Sequence, residues 1–327
     1  MATPAIRMLR RLEGIFSVYK PSGVHWKLVR DTIETNIRND LNATPSQPLP
    51  HKICFLNAPG SETEASRGLA LRTVSLPVLS KHPLVTGPEV QFMKVGVGHR
   101  LDVASSGVLT LAVGNGNRAL GDLYSAQVTS EYTLEGEFGT ATADFSHTGK
   151  VVERSTYDHI TQDKLERVLA MLEGANQKAL LMYSNVDMKS QDAYEMAARG
   201  LLGPDGKSPP ILKGLRCIHF QPPNFTLEVQ CLNDTQKYLR RIVHEIGLEL
   251  RSTAVCKGVR RTRDGPFTLK DALVHQQWTA ADIMQAVRQY HASKKRKKSP
   301  PTKINHTSTA VKRQEEHEIC NETPAVI

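Results

Sequence analysis

The chain is poor in cysteine. It has five among 327 residues, Cys54, Cys217, Cys231, Cys256 and Cys320, an odd number with no C-x-x-C pair. That usage argues against a disulfide framework and offers no zinc-binding spacing. With no secretory signal ahead of them, the cysteines point to a reducing compartment. No apolar run approaches the roughly 18 residues that a membrane span needs. There is no G-x-G-x-x-G and no P-loop, so the common signatures of nicotinamide, flavin and nucleotide binding are missing.

What is present fits a folded protein with a polyanionic partner. Hydrophobic residues make up 39% of the chain and charged residues 23%, enough for a sizeable core. The net charge is +9. Residues 291–327 hold eight Lys/Arg against four Glu, so this tail carries +4 and the body keeps +5. A basic body points to RNA, DNA or an acidic membrane surface. Residues 1–13 form a basic segment: Arg7, Arg10 and Arg11 stand in Met1–Leu12 with no acidic residue, which fits either a short mitochondrial presequence or a merely basic start.

The pattern along the chain predicts one catalytic-size domain over 14–290. Gly14–Tyr19 reads as a buried strand, closed by the turn Lys20-Pro21-Ser22-Gly23. Trp26, Val29, Ile33 and Ile37 recur at helical spacing. Residues 42–90 carry seven prolines and only short apolar pieces, which predicts a loop-rich insertion with Leu69–Leu76 pairing at a sheet edge. Val95–Glu153 is β-rich, with Tyr132, Leu134, Gly136 and Phe138 alternating against polar residues. A helix opens at Thr161 and ends at Gly174, and a second covers Ala193–Arg199. Phe225–Cys231 alternates as a half-buried strand, and Leu239, Ile242, Val243, Ile246 and Leu250 mark the next helix. Residues 291–327, opening with Lys294–Lys298, are too polar to order themselves and read as a disordered basic tail. Mixed strands and helices without regular βαβ alternation imply an α+β fold.

One segment carries chemistry. In Gly98-His99-Arg100-Leu101-Asp102-Val103-Ala104-Ser105-Ser106-Gly107-Val108-Leu109 a single aspartate sits between an arginine and a turn, with an apolar strand following at once. By residue type alone such an Asp is a turn cap; held ionised in a dry pocket it is a nucleophile. This segment, and five others in order, resemble the TruB family of pseudouridine synthases, most closely its mitochondrial branch in animals. The others are Lys20-Pro21-Ser22-Gly23; Tyr132 with Phe138-Gly139, Thr142, Asp144 and Gly149; Ala193-Tyr194-Glu195 with Ala198-Arg199-Gly200; Tyr238-Leu239-Arg240; and Val259-Arg260-Arg261 with Gly265-Pro266-Phe267. They span residues 14 to about 273.

The resemblance implies the pseudouridine synthase fold, a central mixed and mainly antiparallel sheet flanked by helices, and an isomerase acting on RNA. Converting uridine to pseudouridine breaks N1–C1′ and rejoins the uracil through C5. No redox change occurs and no cofactor or metal is required. Asp102 is then the catalytic carboxylate, at the sugar or at C6. Arg240 keeps it ionised. Tyr132 stacks on the target base and helps move the C5 proton; its bland alternative is a strand core residue. Tyr238 packs the pocket and Val259 forms an apolar wall, or simply core. Lys20 binds phosphate or supports the loop. The histidine usual in the family five residues before the Asp is Val97 here. His99-Arg100-Leu101-Asp102 instead resembles the H-R-L-D of the related RluA class, so Arg100 fills the space left by the extruded base or contacts a phosphate. Lys257, Arg260, Arg261 and Arg263 form a group for the RNA backbone. No PUA domain is expected after residue 273, which widens the substrates from transfer RNA to messenger or other mitochondrial RNA. The resemblance places the protein in the mitochondrial matrix, with RNA-processing or ribosome-assembly proteins as partners. The basic run Lys294–Lys298 leaves the nucleus as the other address. A catalytically weak RNA-binding or assembly protein that keeps the fold is the competing reading.

Overall fold

The computed structural model describes residues 3–43, 49–57, 71–125, 128–183, 191 and 210–298. In chain order the elements are α1 (Pro4–Leu12), β1 (Gly14–Lys20), α2 (Trp26–Ala43), β2 (His51–Asn57), β3 (Leu71–Pro77), α3 (Pro83–Thr86), β4 (Val95–Val97), β5 (Ser106–Val113), α4 (Gly116–Ser125), β6 (Ser130–Phe138), β7 (Thr140–Thr142), β8 (Val151–Arg154), α5 (Gln162–Tyr183), β9 (Ile211–Gln221), β10 (Asn224–Leu232), α6 (Gln236–Glu249), β11 (Ala254–Asp264), β12 (Phe267–Thr268), β13 (Ala272–Leu273) and α7 (Ala280–Lys298).

The expected α+β architecture is present. A nine-stranded mixed sheet runs β13-β1-β5-β11-β6-β10-β9, with β4 on β5 and β12 on β11. Only β1–β13 and β5–β11 pair parallel; the other pairings are antiparallel. β1 and β5 are apolar runs because both their faces are covered. Phe16, Val18, Leu109 and Leu111 pack with α1, α2 and α7, whereas Ile15, Val108 and Ala112 pack with Leu120 of α4. Strands β6 and β10 alternate instead, and their inner residues Tyr132, Leu134, Leu227 and Val229 meet Leu165 and Leu169 of α5 and Leu239, Val243 and Ile246 of α6.

The parallel contact of β5 with β11 needs a residue without a side chain. Gly107 has φ +115°, and a Cβ there would lie 2.1 Å from the carbonyl oxygen of Arg261.

Four local expectations differ from the structure. Residues 71–77 pair with 51–57 in a separate two-stranded ribbon, not at an edge of the main sheet. Outside the ribbon, Asn42 at the end of α2 exchanges hydrogen bonds with Val90. The basic segment placed ahead of a domain beginning at 14 packs into it: α1, capped by Thr3, buries Ala5 and Leu12 in the core formed with α2 and α7. The last helix runs on past residue 290 to Lys298, because Ala, Lys and Arg favour helix. The helix expected to stop at Gly174 continues to Tyr183, since one glycine does not end a helix without a capping turn. The helix read over Ala193–Arg199 lies outside the described residues.

Candidate active site

The loop between β4 and β5 presents Asp102. It is anchored by two fully buried residues, Leu101 and Ser105. The Lys20-Pro21-Ser22-Gly23 turn clamps it from the side. Lys20 is itself fully buried, and its ammonium donates to the carbonyls of Pro21 at 3.1 Å, Val103 at 3.3 Å and Ser105 at 2.6 Å. Ser22 Oγ donates to Ala104 O at 2.7 Å and Gly23 N to Val103 O at 2.8 Å. Of the two roles open to Lys20, the geometry supports the loop and not a phosphate. Burial lowers its pKa to about 8, with Asp102 opposing the shift and Arg261 adding to it.

The two readings of Asp102 describe its two oxygens. Oδ1 accepts from the Ser105 backbone N–H at 2.8 Å, which is the turn cap. Oδ2 accepts from Nη2 of Arg240, reached from the second turn of α6. The Asp102 side chain is 34% exposed and that of Arg240 15%. Burial pushes the carboxyl pKa up, but the hydrogen bonds from Ser105 and the Arg240 guanidinium outweigh this and hold it below the ordinary carboxylate range.

The other expected site residues divide. Tyr132 is fully buried, on β6. Its hydroxyl donates to Asp234 Oδ2, a partner the sequence gave no reason to single out. Burial raises the phenol pKa well above its ordinary value, so the hydroxyl is a donor and not a base. With no ring face open, stacking on a base requires neighbouring side chains to move. Val259 packs in the same core as Tyr132 and Leu101. Tyr238 is half-buried against that core, two residues before Arg240. Arg100 is exposed, with its guanidinium 4.7 Å from the Trp26 ring centroid. The His99 ring lies 4.0 Å from that of Tyr124, whose hydroxyl donates to Asp264.

The basic group on β11 is not one surface. Arg261 was expected on RNA but is fully buried: strand alternation turns it inward, where Nε donates to Val108 O, Nη2 donates to His99 O, and Asp264 stands 3.8 Å away. Lys257 is exposed but paired with Glu137 at 3.0 Å, and Arg263 with Glu131 at 3.4 Å. Arg260 is exposed, 5.9 Å from the Tyr19 ring, and lies in register with Ser106 beside the Asp102 loop. Asp264, which also accepts from Thr110 at 2.7 Å, could have been suspected only from the R-x-x-D spacing with Arg261.

No helix among the described residues is long and apolar enough to cross a membrane. Residues 88–237 match the TruB family pseudouridylate synthase N-terminal domain. The chain is 52% identical over 294 residues to "pseudouridylate synthase TRUB2, mitochondrial" of Xenopus tropicalis, covering 89% of this chain and 90% of that one. It is 52% identical to the Homo sapiens protein of the same name, over 86% of this chain and 84% of that one. Against "pseudouridylate synthase TRUB1" of Homo sapiens it is 35% identical, over 63% of this chain and 58% of the other. At 52% identity over most of its length, the chain belongs to the TruB family as a pseudouridine synthase, an RNA isomerase.

Proposed function

We propose that the protein isomerises uridine in mitochondrial RNA, messenger RNA included, with Asp102 as nucleophile. The observation that carries this is a carboxylate held ionised by Arg240 at the mouth of a buried strand, with a third of its side chain open to a substrate. One carboxylate oxygen bonds to C1′ as N1–C1′ breaks, or adds to C6 across the C5=C6 double bond, after which N1–C1′ breaks. The uracil turns, C5 bonds to C1′, the Asp bond is released, and the C5 proton leaves as N1 gains one. Atoms and electrons balance with no external oxidant or reductant.

Arg240 keeps the carboxylate charged through the step. Lys20 fixes the loop carbonyls and so the carboxylate's position. Tyr132 packs the floor of the site and, once uncovered, stacks on the base. Arg100 enters the RNA where the base leaves, and Arg260 meets a phosphate near the loop. A mitochondrial address is supported by the arginine-bearing α1 and by the word mitochondrial in the names of the two 52% identical relatives, and the matrix is the compartment proposed within it.

Mapping pseudouridine in mitochondrial RNA from cells that lack the protein, then restored with wild type or Asp102→Asn, tests the reading. Wild type restores sites and the Asn variant does not. Restoration by Asp102→Asn rejects the nucleophile, and an unchanged map on loss of the protein leaves an RNA-binding or assembly role.

A further inference from the structure

Trp26 opens α2, three residues after Gly23, whose N–H is bonded to the carbonyl of Val103 next to Asp102. Its half-buried indole is crowded by two guanidinium groups and an imidazole ring. The Arg100 guanidinium lies 4.7 Å from the ring centroid and that of Arg30 5.7 Å, and the His25 ring stands 5.4 Å away. None of the steps above uses this indole. Arg30 is engaged by Asp31, through hydrogen bonds of 2.6 and 2.8 Å. Arg100 has its carbonyl held by Gln236 Nε2 at 3.3 Å, so its backbone is fixed while its exposed side chain rests on the ring.

We propose that Trp26 is a stacking platform for a nucleobase of the RNA beside the target uridine, uncovered when Arg100 leaves the indole. This rests on the RNA-isomerising reading above. A guanidinium and a base compete for the same π-face, the first as a cation–π contact and the second by stacking. The resting contact keeps Arg100 close to the Asp102 loop until RNA arrives. The exchange then frees the guanidinium for the RNA while a flanking base takes its place. Every base has a π-face, so the platform positions the strand without reading its sequence.

The chain has two tryptophans, and the other, Trp278, is 5% exposed with its Nε1 donating to Leu273 O. Emission that differs between wild type and Trp26→Phe therefore reports Trp26. The probes are oligouridylate of about ten nucleotides and an abasic ribose-phosphate oligomer of the same charge. Oligouridylate should quench the Trp26 emission, and the abasic oligomer should not. Trp26→Ala should lose affinity, on the order of ten- to hundred-fold, and raise KM more than it lowers kcat, while Trp26→Phe keeps most of the affinity. Equal quenching by the abasic oligomer, no binding of oligouridylate, or a Trp26→Ala affinity within about twofold of wild type overturns the platform. Asp102→Asn should quench as wild type does. In the wild-type protein, intact quenching with no pseudouridine formed rejects the function and not the platform, and pseudouridine formed without quenching does the reverse.

Discussion

Arg240 Nη2 is hydrogen-bonded to Asp102 Oδ2 from a point 138 residues further along the chain. The pair joins α6 to the loop before β5 and, together with the hydrogen bonds from Ser105, holds the carboxyl pKa down against burial. The folded-state pKa of Asp102 is depressed, so its contribution to stability is present above the unfolded pKa and is lost as pH falls through the folded one. With Asp102 as the proposed nucleophile, activity should follow the same ionisation. Arg240→Ala should lower the rate by orders of magnitude and move the acid limb of the pH–rate profile upward, because burial then acts on the carboxyl with less to oppose it. A normal rate with an unmoved limb would separate the two residues functionally.

Lys20 makes a different pH prediction. Its ammonium serves three carbonyls of the loop, and its pKa falls from 10.5 to about 8 on burial. Between those values the unfolded chain holds the proton and the folded one does not, so this group alone makes stability rise with pH in that window. Activity should fall over the same range as positive charge beside Asp102 is lost. Lys20→Met keeps the volume but leaves the carbonyls without their donor. It should cost at least about 1–3 kcal/mol in denaturant unfolding and remove the alkaline limb near pH 8. A variant as stable as wild type, with the limb retained, would place the titration elsewhere.

The strands that frame the site were legible because their patterns are extreme. The run Val108–Val113 is apolar but for Thr110 and buried on both faces, and Tyr132–Phe138 alternates, as the burial of each confirms. The Asp102 and Arg240 motifs could be read, whereas Arg261 could not be told from Arg260. Both are arginines in one strand, and only the pairing of β11 with β5 decides which turns inward. Asp234 and Trp26 were missed for a related reason. Their partners, Tyr132 and Arg100, lie on other elements, and no local spacing links them. The insertion yielded its hairpin only in part, since two-stranded pairing away from the sheet leaves no two-sided apolar run.

That difference between neighbours gives a third prediction. Arg260→Ala should bind RNA more weakly and flatten the plot of log affinity against log salt by about 1 unit, the loss of one phosphate contact. Arg261→Met should instead destabilise the fold by about 3–5 kcal/mol, because it strands Asp264, which is 1% exposed, without its cation. Denaturant melts and salt titrations of the two variants distinguish them. A stable Arg261→Met with a flattened slope would return that residue to the RNA interface.

The N-terminal helix separates address from fold. Leu12 is fully buried and Ala5 nearly so, in the core that α1 shares with α2 and α7, while Arg10 and Arg11 are exposed at its last turn. Leu12→Ala should therefore cost about 2–5 kcal/mol, the usual effect of emptying a packed leucine site. Arg10→Gln with Arg11→Gln should leave stability within about 0.5 kcal/mol, as surface changes do, and should reduce import if these arginines form the mitochondrial address. The protein recovered from mitochondria should then retain α1, because cleavage after it would remove Ala5 and Leu12 from the core shared with α2 and α7. The N-terminal peptide by mass spectrometry decides this: a mature form beginning beyond Glu13, with unchanged thermal stability, would show that the helix is an address and not a part of the core.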